Sequence, residues 1–482
     1  MAHILILGGG AAGLAASSGC RADRPHSPRH GTGAQPPPGK KLLATGNGRC
    51  NLDNEGITPE SYSSADRAAL DALLRTVNAA GPLGWFRALG LYTRTDETGR
   101  VYPYSNQAAD VLALLEHHLA RCGVEVRTGC TVQTLSQSRG GYVVLFSNAD
   151  GADESLRADA VVCAMGGSAG PQFGTDGFGP RFAAQCGGAL APLYPCLTAL
   201  QCAKPDKRLA GIRAKAHAAL YNGSTLLADY RGEVQFTDYG LSGICIMDLT
   251  RHLTPAVKSP AVELDLFPDV AEDALSALFA ARVPLLPGDT AADFWLGLLN
   301  AKLGRALWQA AGLPDADVHR LSAAQWQKLA HIAKHWRFDG LTPCGWKQAQ
   351  VTGGGLALTE LEPDFQFKGC PGLYFVGETL DCTGRCGGFN LHWAFGSGLA
   401  AGRSAAKPRR AVPSQKPPRK RNIDKKPGRS THRGTARPRF IRSYWPRCAA
   451  SSAAASASSC FWYSSKADHM GSISSPFTRR SR

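Results

Sequence analysis

The sequence predicts an α/β fold, on three observations. Ile4–Leu7 is a short all-apolar run, as suits a strand covered on both faces in a parallel sheet. Gly8-x-Gly10-x-x-Gly13 follows at once, and small residues beginning with Ala11 and Ala12 open a helix. Two later runs, Ala160–Gly167 and Leu373–Val376, read as further buried strands, the first closing on paired glycines and the second followed by Gly377-Glu378. Strand, glycine turn and helix in this order make a dinucleotide fingerprint. The first glycine forms the tight turn, the second lets the backbone approach a pyrophosphate, and the third lets helix and strand pack closely. Phosphates would rest on free N–H groups at the helix start, where the helix dipole favours anions. A Rossmann-like domain is expected.

At 482 residues the chain exceeds one hydrophobic core, and two or three domains are expected. Its formal charge of +16 is unevenly spread. Residues 407–482 hold 19 of the 54 Lys/Arg and 2 of the 38 Asp/Glu, which leaves that segment at +17 and the rest at −1. The basicity thus belongs to a tail, rich in Pro, Lys and Arg and then in Ser and Ala, with too little apolar surface to order itself. The 15 cysteines include no C-x-x-C pair in a long, cysteine-poor chain, which excludes a secreted disulfide scaffold and predicts reduced, packed thiols. No Cys/His cluster has ligand spacing, so no metal is expected. No basic n-region precedes the first apolar run and no run reaches the length of a membrane span, so a cytoplasmic location is expected.

A Rossmann-like unit next requires a helix, a second apolar strand and an acid at that strand's end to hold ribose hydroxyls. Residues 17–38 offer Pro- and Arg-rich loop chemistry, with Asp23 as the only acid. Local physics reads a loop there, whereas the fold requires a strand. A segment read in a shifted frame and restored near Gly39 would reconcile the two; a divergent insertion is the other reading. Gly39–Asn54 (GKKLLATGNGRCNLDN) is an ordered glycine-rich loop whose cation and amides suit a phosphate or a flavin edge. Ala65–Leu91 is helical in pattern, Gly99–Asn106 a strand and turn, and Gln107–Cys122 an amphipathic helix closed by Gly123. Strands follow at Gly123–Val126, Thr131–Gln137 and Tyr142–Phe146, then a helix over Thr175–Gly188. From Ala189 short alternating strands take over, with Asn222-Gly223 a hairpin signal. Helical patterns then cover Ala271–Val283, Ala291–Gly312 and Ser322–His335, the last opened by a Ser322–Gln325 capping box. Val351–Gly355 returns to the first domain. In residues 377–403, Gly387-Gly388-Phe389-Asn390 opens a helix whose positive end suits the N1/O2 edge of a reduced flavin.

Three of these runs resemble the BaiN-type (YhiN-like) FAD-dependent oxidoreductases, also labelled the aminoacetone oxidase family. Residues 39–51 resemble its G-[KR]-K-L-x-x-[ST]-G-x-G-R-C-N signature. Gly232–Gly243 resembles G-E-x-x-F-T-x-x-G-x-S-G. Residues 377–393 resemble G-E-x-x-D-x-x-G-x-x-G-G-[YF]-N-L-x-W. The resemblance covers nearly all of residues 1–405, apart from 17–38 and the least distinctive helices of the insert. It implies a Rossmann-like two-dinucleotide FAD-binding domain with an inserted β-plus-helical domain and a disordered basic C-terminal tail. The parts are 1–188 and 345–405 for the FAD-binding domain, 189–344 for the inserted substrate domain (β-rich over 189–250, helical over 251–344) and 406–482 for the tail.

By the same resemblance, FAD is held by Gly8, Gly10, Ala11, Ala12 and Gly13 at the first turn and by Lys41, Leu42, Gly48, Arg49, Cys50 and Asn51 in the loop. Met165 and Gly166 serve at the strand return, and Gly377, Glu378, Asp381, Gly387, Gly388, Phe389, Asn390 and Leu391 at the last motif. Val132 is placed where such folds meet the adenine through the backbone; a plain core valine is the alternative. The implied function is oxidoreduction, with hydride accepted from NAD(P)H and a small organic substrate at the flavin face. No proton donor stands out: Tyr102, Tyr104 and Tyr239 read as structural. His392 suits a hydrogen bond to flavin or backbone, and Cys382 and Cys386 suit either a redox relay or idle thiols. Two other readings stay open at this level: a non-catalytic flavin protein with a nucleic-acid-binding tail, and a frame-disrupted, inactive member of the family.

Overall fold

Ile4–Leu7 forms β1, buried along its whole length, and α1 (Ala11–Gly19) follows its turn, as periodicity and glycine spacing require. The structure, a computed structural model, describes residues 3–407 apart from 21–28, 34–37, 139, 287, 315 and 316. The tail expected over 406–482 therefore lies almost wholly outside the described residues. Arg29–Gly33 forms β2, paired in parallel with β1 (Ile4↔Arg29 to Leu7↔Thr32). The loop reading of that stretch is corrected here. The run RHGTG has no strand pattern, but it lies between two strands whose backbones offer complete ladders, and pairing outweighs weak intrinsic propensity. No acid stands within it.

The helical pattern of residues 65–91 forms two helices: α2 (Arg67–Ala80), capped by the Asp66 carboxylate, and a short second helix, Pro82–Ala88, that starts after Gly81 at φ +65°. The amphipathic helix α3 (Ala108–Arg121) buries Ala108, Val111, Leu112, Leu115 and Leu119. β3 (Val124–Thr128) pairs with β2, and β4 (Ala160–Cys163) with β1 on its other side. The strands at Thr131–Ser138 and Gly141–Ser147 form a separate antiparallel meander with Asp153–Ala158, a strand the sequence did not announce.

Beyond residue 189 a seven-stranded sheet appears. Its centre is the hairpin of β5 (Arg213–Asn222) and β6 (Thr225–Phe236), which turns at Asn222-Gly223. β7 (Pro260–Asp265) pairs with β5, and Trp336–Asp339 with β7, so the stretch read as helical also completes the sheet. On it pack α4 (Glu272–Arg282) and α5 (Ala323–Lys334), the latter with its Ser322–Gln325 capping box formed. The helix expected over 291–312 is broken into Ala291–Phe294 and Ala301–Ala310. Phe279, Phe294, Trp295, Trp308 and Trp326 fill this second core. Val351–Leu356 pairs antiparallel with Leu190–Cys196 outside both large sheets. The chain then returns to the parallel sheet as β8 (Leu373–Phe375) and closes with α6 (Phe389–Ala405). The order β8-β4-β1-β2-β3 is all parallel, a Rossmann-type sheet, so turns after β1, β4 and β8 open at one edge.

Candidate functional site

The two helices that follow glycine turns, α1 and α6, pack side by side. A Cβ on Gly398 would lie 2.2 Å from the Ala12 carbonyl oxygen, and one on Gly402 2.2 Å from that of Ala16. The shared four-residue step means that the helices run in the same direction, and the missing side chains let them approach this closely. With Ala12 level with Gly398, the start of α6 projects eight residues beyond that of α1, about 12 Å at 1.5 Å per residue. Two helix starts, each leaving its first N–H groups without an intrahelical partner, thus face the same way on neighbouring helices. Neither carries a side-chain cap.

The first turn has the geometry its spacing implies. Gly8 sits at φ +111°, and a Cβ there would strike the Ala164 carbonyl at 2.3 Å. A Cβ on Gly13 would lie 1.9 Å from Gly8 O, so the third glycine is a packing requirement of β1, α1 and β4. Among the described residues nothing lies within 4 Å of the Cβ position at Gly10. Fold logic places a pyrophosphate here, beside Ala11 and Ala12 at the start of α1. These residues fit a dinucleotide. Ala164, Met165 and Gly166 continue β4 towards this turn, and Thr379 Oγ1 donates to Gly166 O (3.2 Å).

The second turn is held by the chain itself. Gly388 is the N-cap of α6 at φ +102°, and a Cβ there would meet Asp53 O at 2.1 Å. With its amide oriented to satisfy its neighbours, Asn51 accepts from Gly388 N (3.2 Å) and donates to Asp53 O (3.0 Å). Asn54 Nδ2 donates to Gly387 O (2.8 Å), and Asn390 Nδ2 to Gly384 O (2.9 Å). Tyr62 Oη donates to Phe389 O (3.0 Å). The side chains of Asn51 and Asn390 therefore build the turn, and the N–H groups of Phe389, Asn390 and Leu391, in the first turn of α6, have no intrahelical acceptor. Asp381 accepts from Ala65 N (2.8 Å) and Ser64 Oγ (3.1 Å). Glu378 bridges Lys41 Nζ (2.7 Å) and Thr352 Oγ1 (2.8 Å), tying the first loop to the last motif. Gly377 N donates to Ser397 Oγ (3.1 Å).

In the loop, Leu42 and Cys50 are buried, and burial pushes the Cys50 thiol up to about 12. Arg49 is exposed over the Tyr102 ring (4.9 Å), and Gly48 O accepts from Ala108 N (2.8 Å). Val132 is buried in the meander opposite Phe146. His392 Nδ1 and Nε2 meet Asp53 (2.9 Å) and Asn78 (2.8 Å), so this ring is a buried brace. Cys382 and Cys386 are free thiols that burial pushes well above their ordinary range, the wrong state for a dithiol relay. Tyr104 is 70 % exposed.

Four residues that no motif pointed to gather beside the second turn. Arg251 is 2 % exposed, and its Nη1 donates to Ser61 O (3.1 Å) and reaches Thr383 O (3.5 Å). Its Nη2 donates to Tyr230 Oη (2.9 Å), which also meets His252 Nε2 (2.9 Å). Arg251 Nε has no partner among the described residues. Asp248, equally buried, accepts from Cys386 N (2.7 Å), and burial raises its carboxyl. Burial, followed by the Arg251 charge, lowers His252 to about 4, so its ring is neutral at pH 7. Arg385, from the last motif, lies over the Tyr230 ring at 5.0 Å. The signal was present in the sequence: Asp248 and Arg251 interrupt the apolar run ICIMDLTRHL, where ions need partners.

Comparison with known proteins gives the family. The HI0933-like protein Rossmann domain matches residues 2–404. A 3-dehydro-bile acid delta(4,6)-reductase of Clostridium scindens is 35% identical over 412 residues, covering 84% of this chain and 99% of that protein. A ribosomal RNA dihydrouridine synthase of Escherichia coli K12 is 26% identical over 75% of this chain and 88% of its own. Among solved structures, a 3-ketosteroid-delta4-(5alpha)-dehydrogenase from Rhodococcus jostii RHA1 aligns with a TM-score of 0.44 at 16% identity, over 84% of this chain and 97% of its own. Among the described residues no helix is long and apolar enough to cross a membrane.

Proposed function

The chain belongs to the HI0933-like Rossmann-domain family, and from that premise we propose that it is an FAD-dependent oxidoreductase. Its reaction is the reduction of a carbon–carbon double bond conjugated to a carbonyl in a small organic molecule, with hydride drawn from NAD(P)H. The observation that carries the reading is the pair of uncapped, glycine-opened helix starts of α1 and α6, which point the same way and are staggered by about 12 Å along the helix direction. The bacterial reductase at 35% identity supports the reaction class.

The Ala11–Gly13 amides would hold the pyrophosphate, and those of Phe389–Leu391 would receive the flavin end of the cofactor. When bound, FAD supplies hydride from its ring N5. The chain's own contribution to the chemistry is the proton. Tyr230 Oη gives it to the substrate carbon next to the carbonyl, the Arg251 guanidinium remains hydrogen-bonded to that oxygen, and neutral His252 returns a proton from solvent.

A second reading shares this chemistry. Dihydrouridine differs from uridine by saturation of a double bond conjugated to a carbonyl, and the E. coli relative carries that activity in its name. The higher identity to the bile-acid enzyme, over nearly its whole length, favours the small molecule. The test is FAD retention on purification, followed by NADH and NADPH oxidation with a conjugated steroid enone in one arm and ribosomal RNA in the other. Enone-dependent oxidation supports the first reading and dihydrouridine formation the second. A colourless protein that takes up no FAD defeats both.

A further inference from the structure

Away from the helix starts, the seven-stranded sheet region brings together a group that no spacing in the sequence announced, because its members come from three elements. His331 and His335 stand four residues apart at the end of α5, so their rings share one face, with centroids 4.8 Å apart. Glu272, from the first turn of α4, reaches both: Oε1 lies 3.0 Å from His331 Nδ1 and Oε2 3.2 Å from His335 Nε2. The three ligand atoms lie within 4.8 Å of one another. Neighbouring donors around a tetrahedral ion at about 2.05 Å are about 3.3 Å apart, so the two carboxylate–imidazole spacings already suit an ion, and the two rings, on one helix face, would turn towards each other to complete it. The other nitrogen of His335 meets Glu263 Oε1 of β7 at 3.0 Å. A carboxylate on the far side of a ligating imidazole fixes its tautomer and orientation. The adjacent cation, Lys334, is engaged by Asp265 Oδ2 (2.7 Å) and two carbonyls, so its charge is not aimed at the group.

We infer that Glu272, His331 and His335 form a binding site for a divalent cation of the zinc type, with Glu263 orienting His335 from behind. Two imidazoles and one carboxylate select zinc, cobalt, nickel or copper over magnesium and calcium, which prefer oxygen alone. The ion ties α4 to α5, and its three protein ligands leave a position open to water. The sequence-based expectation of no metal rested on Cys/His spacing, to which Glu272, 59 residues before His331, is invisible.

The test uses the untagged full-length chain, stripped with chelator and kept reduced, in equilibrium dialysis against zinc chloride and optical titration with cobalt chloride. The wild-type chain is expected to bind one more zinc ion than His331→Ala/His335→Ala. Glu263→Gln is expected to keep that stoichiometry with an affinity about tenfold weaker. The cobalt spectrum of that extra equivalent should lack a thiolate charge-transfer band. Should the double variant fail to fold by circular dichroism, Glu272→Gln, which preserves shape, is read for the same lost equivalent. Equal zinc binding by the wild type and the folded variant, or a thiolate band on the extra equivalent, overturns the inference.

Discussion

Replacing Gly10 and Gly13 by alanine, one at a time, separates folding from cofactor binding at the first turn. Gly10 has extended backbone angles (φ −83°, ψ −173°) that alanine adopts freely, and among the described residues nothing lies within 4 Å of the added methyl. The apo form of Gly10→Ala should therefore match the wild type within about 0.5 kcal/mol. The methyl nevertheless occupies space that the pyrophosphate needs, so FAD affinity should fall by about 10–100-fold, or about 1.4–2.8 kcal/mol. Gly13→Ala is the opposite case. Its Cβ would lie 1.9 Å from Gly8 O, a backbone atom that cannot rotate aside as a flexible side chain could. Opening the β1–α1 turn should cost about 2–3 kcal/mol in the absence of any ligand, within the range for overpacked sites. Thermal melts of the apoproteins and fluorescence titration with FAD read the two effects separately. If Gly10→Ala binds FAD as tightly as the wild type, or unfolds as early as Gly13→Ala, the assignment of this turn is wrong.

Tyr230→Phe should lower substrate reduction by about 10²–10⁴-fold, the usual reach of a positioned proton donor, while flavin reduction by NAD(P)H in stopped flow stays as in the wild type; equal loss in both half-reactions would remove Tyr230 from the proton step. His392→Ala should destabilise the fold by about 2–3 kcal/mol in urea unfolding, because it strips a partner from the buried Asp53 carboxylate; a change below about 0.5 kcal/mol would contradict the brace. His252, lowered from 6.5 to about 4 in the folded chain, binds its proton more readily when unfolded. Its contribution to stability is therefore complete above pH 6.5 and lost as the pH falls from 6.5 towards 4. In His252→Asn the stability difference between pH 7 and pH 4.5 should shrink, and an unchanged difference would refute the assignment.

What could be read from the residues was local. The β1 run, the glycine turns, α3 with its five-residue apolar face and the Ser322 capping box all appear where period and cap chemistry put them, because neighbours in sequence decide them. Long-range pairing decides the rest. RHGTG becomes β2 because β1 and β3 flank it, and β7 with Trp336–Asp339 joins a sheet from within a stretch that reads as helical. The same limit applies at the site. Motifs marked Asn51, Asp381 and Asn390, but only the folded chain shows their polar atoms turned onto Gly388, Ala65 and Gly384. Tyr230 and His252 carry no fingerprint, and Arg251 only its charge within an apolar run; they become a group because the Arg251 guanidinium, buried against Ser61 and Thr383, reaches back to Tyr230.

An experimental structure of the FAD-loaded protein tests the central claim most directly. It should show the pyrophosphate within hydrogen-bonding reach of the Ala11–Gly13 amides and the pyrimidine edge of the flavin against the amides of Phe389–Leu391, one molecule spanning both helix starts. Flavin seated elsewhere on the chain, with α1 and α6 both untouched, would contradict it.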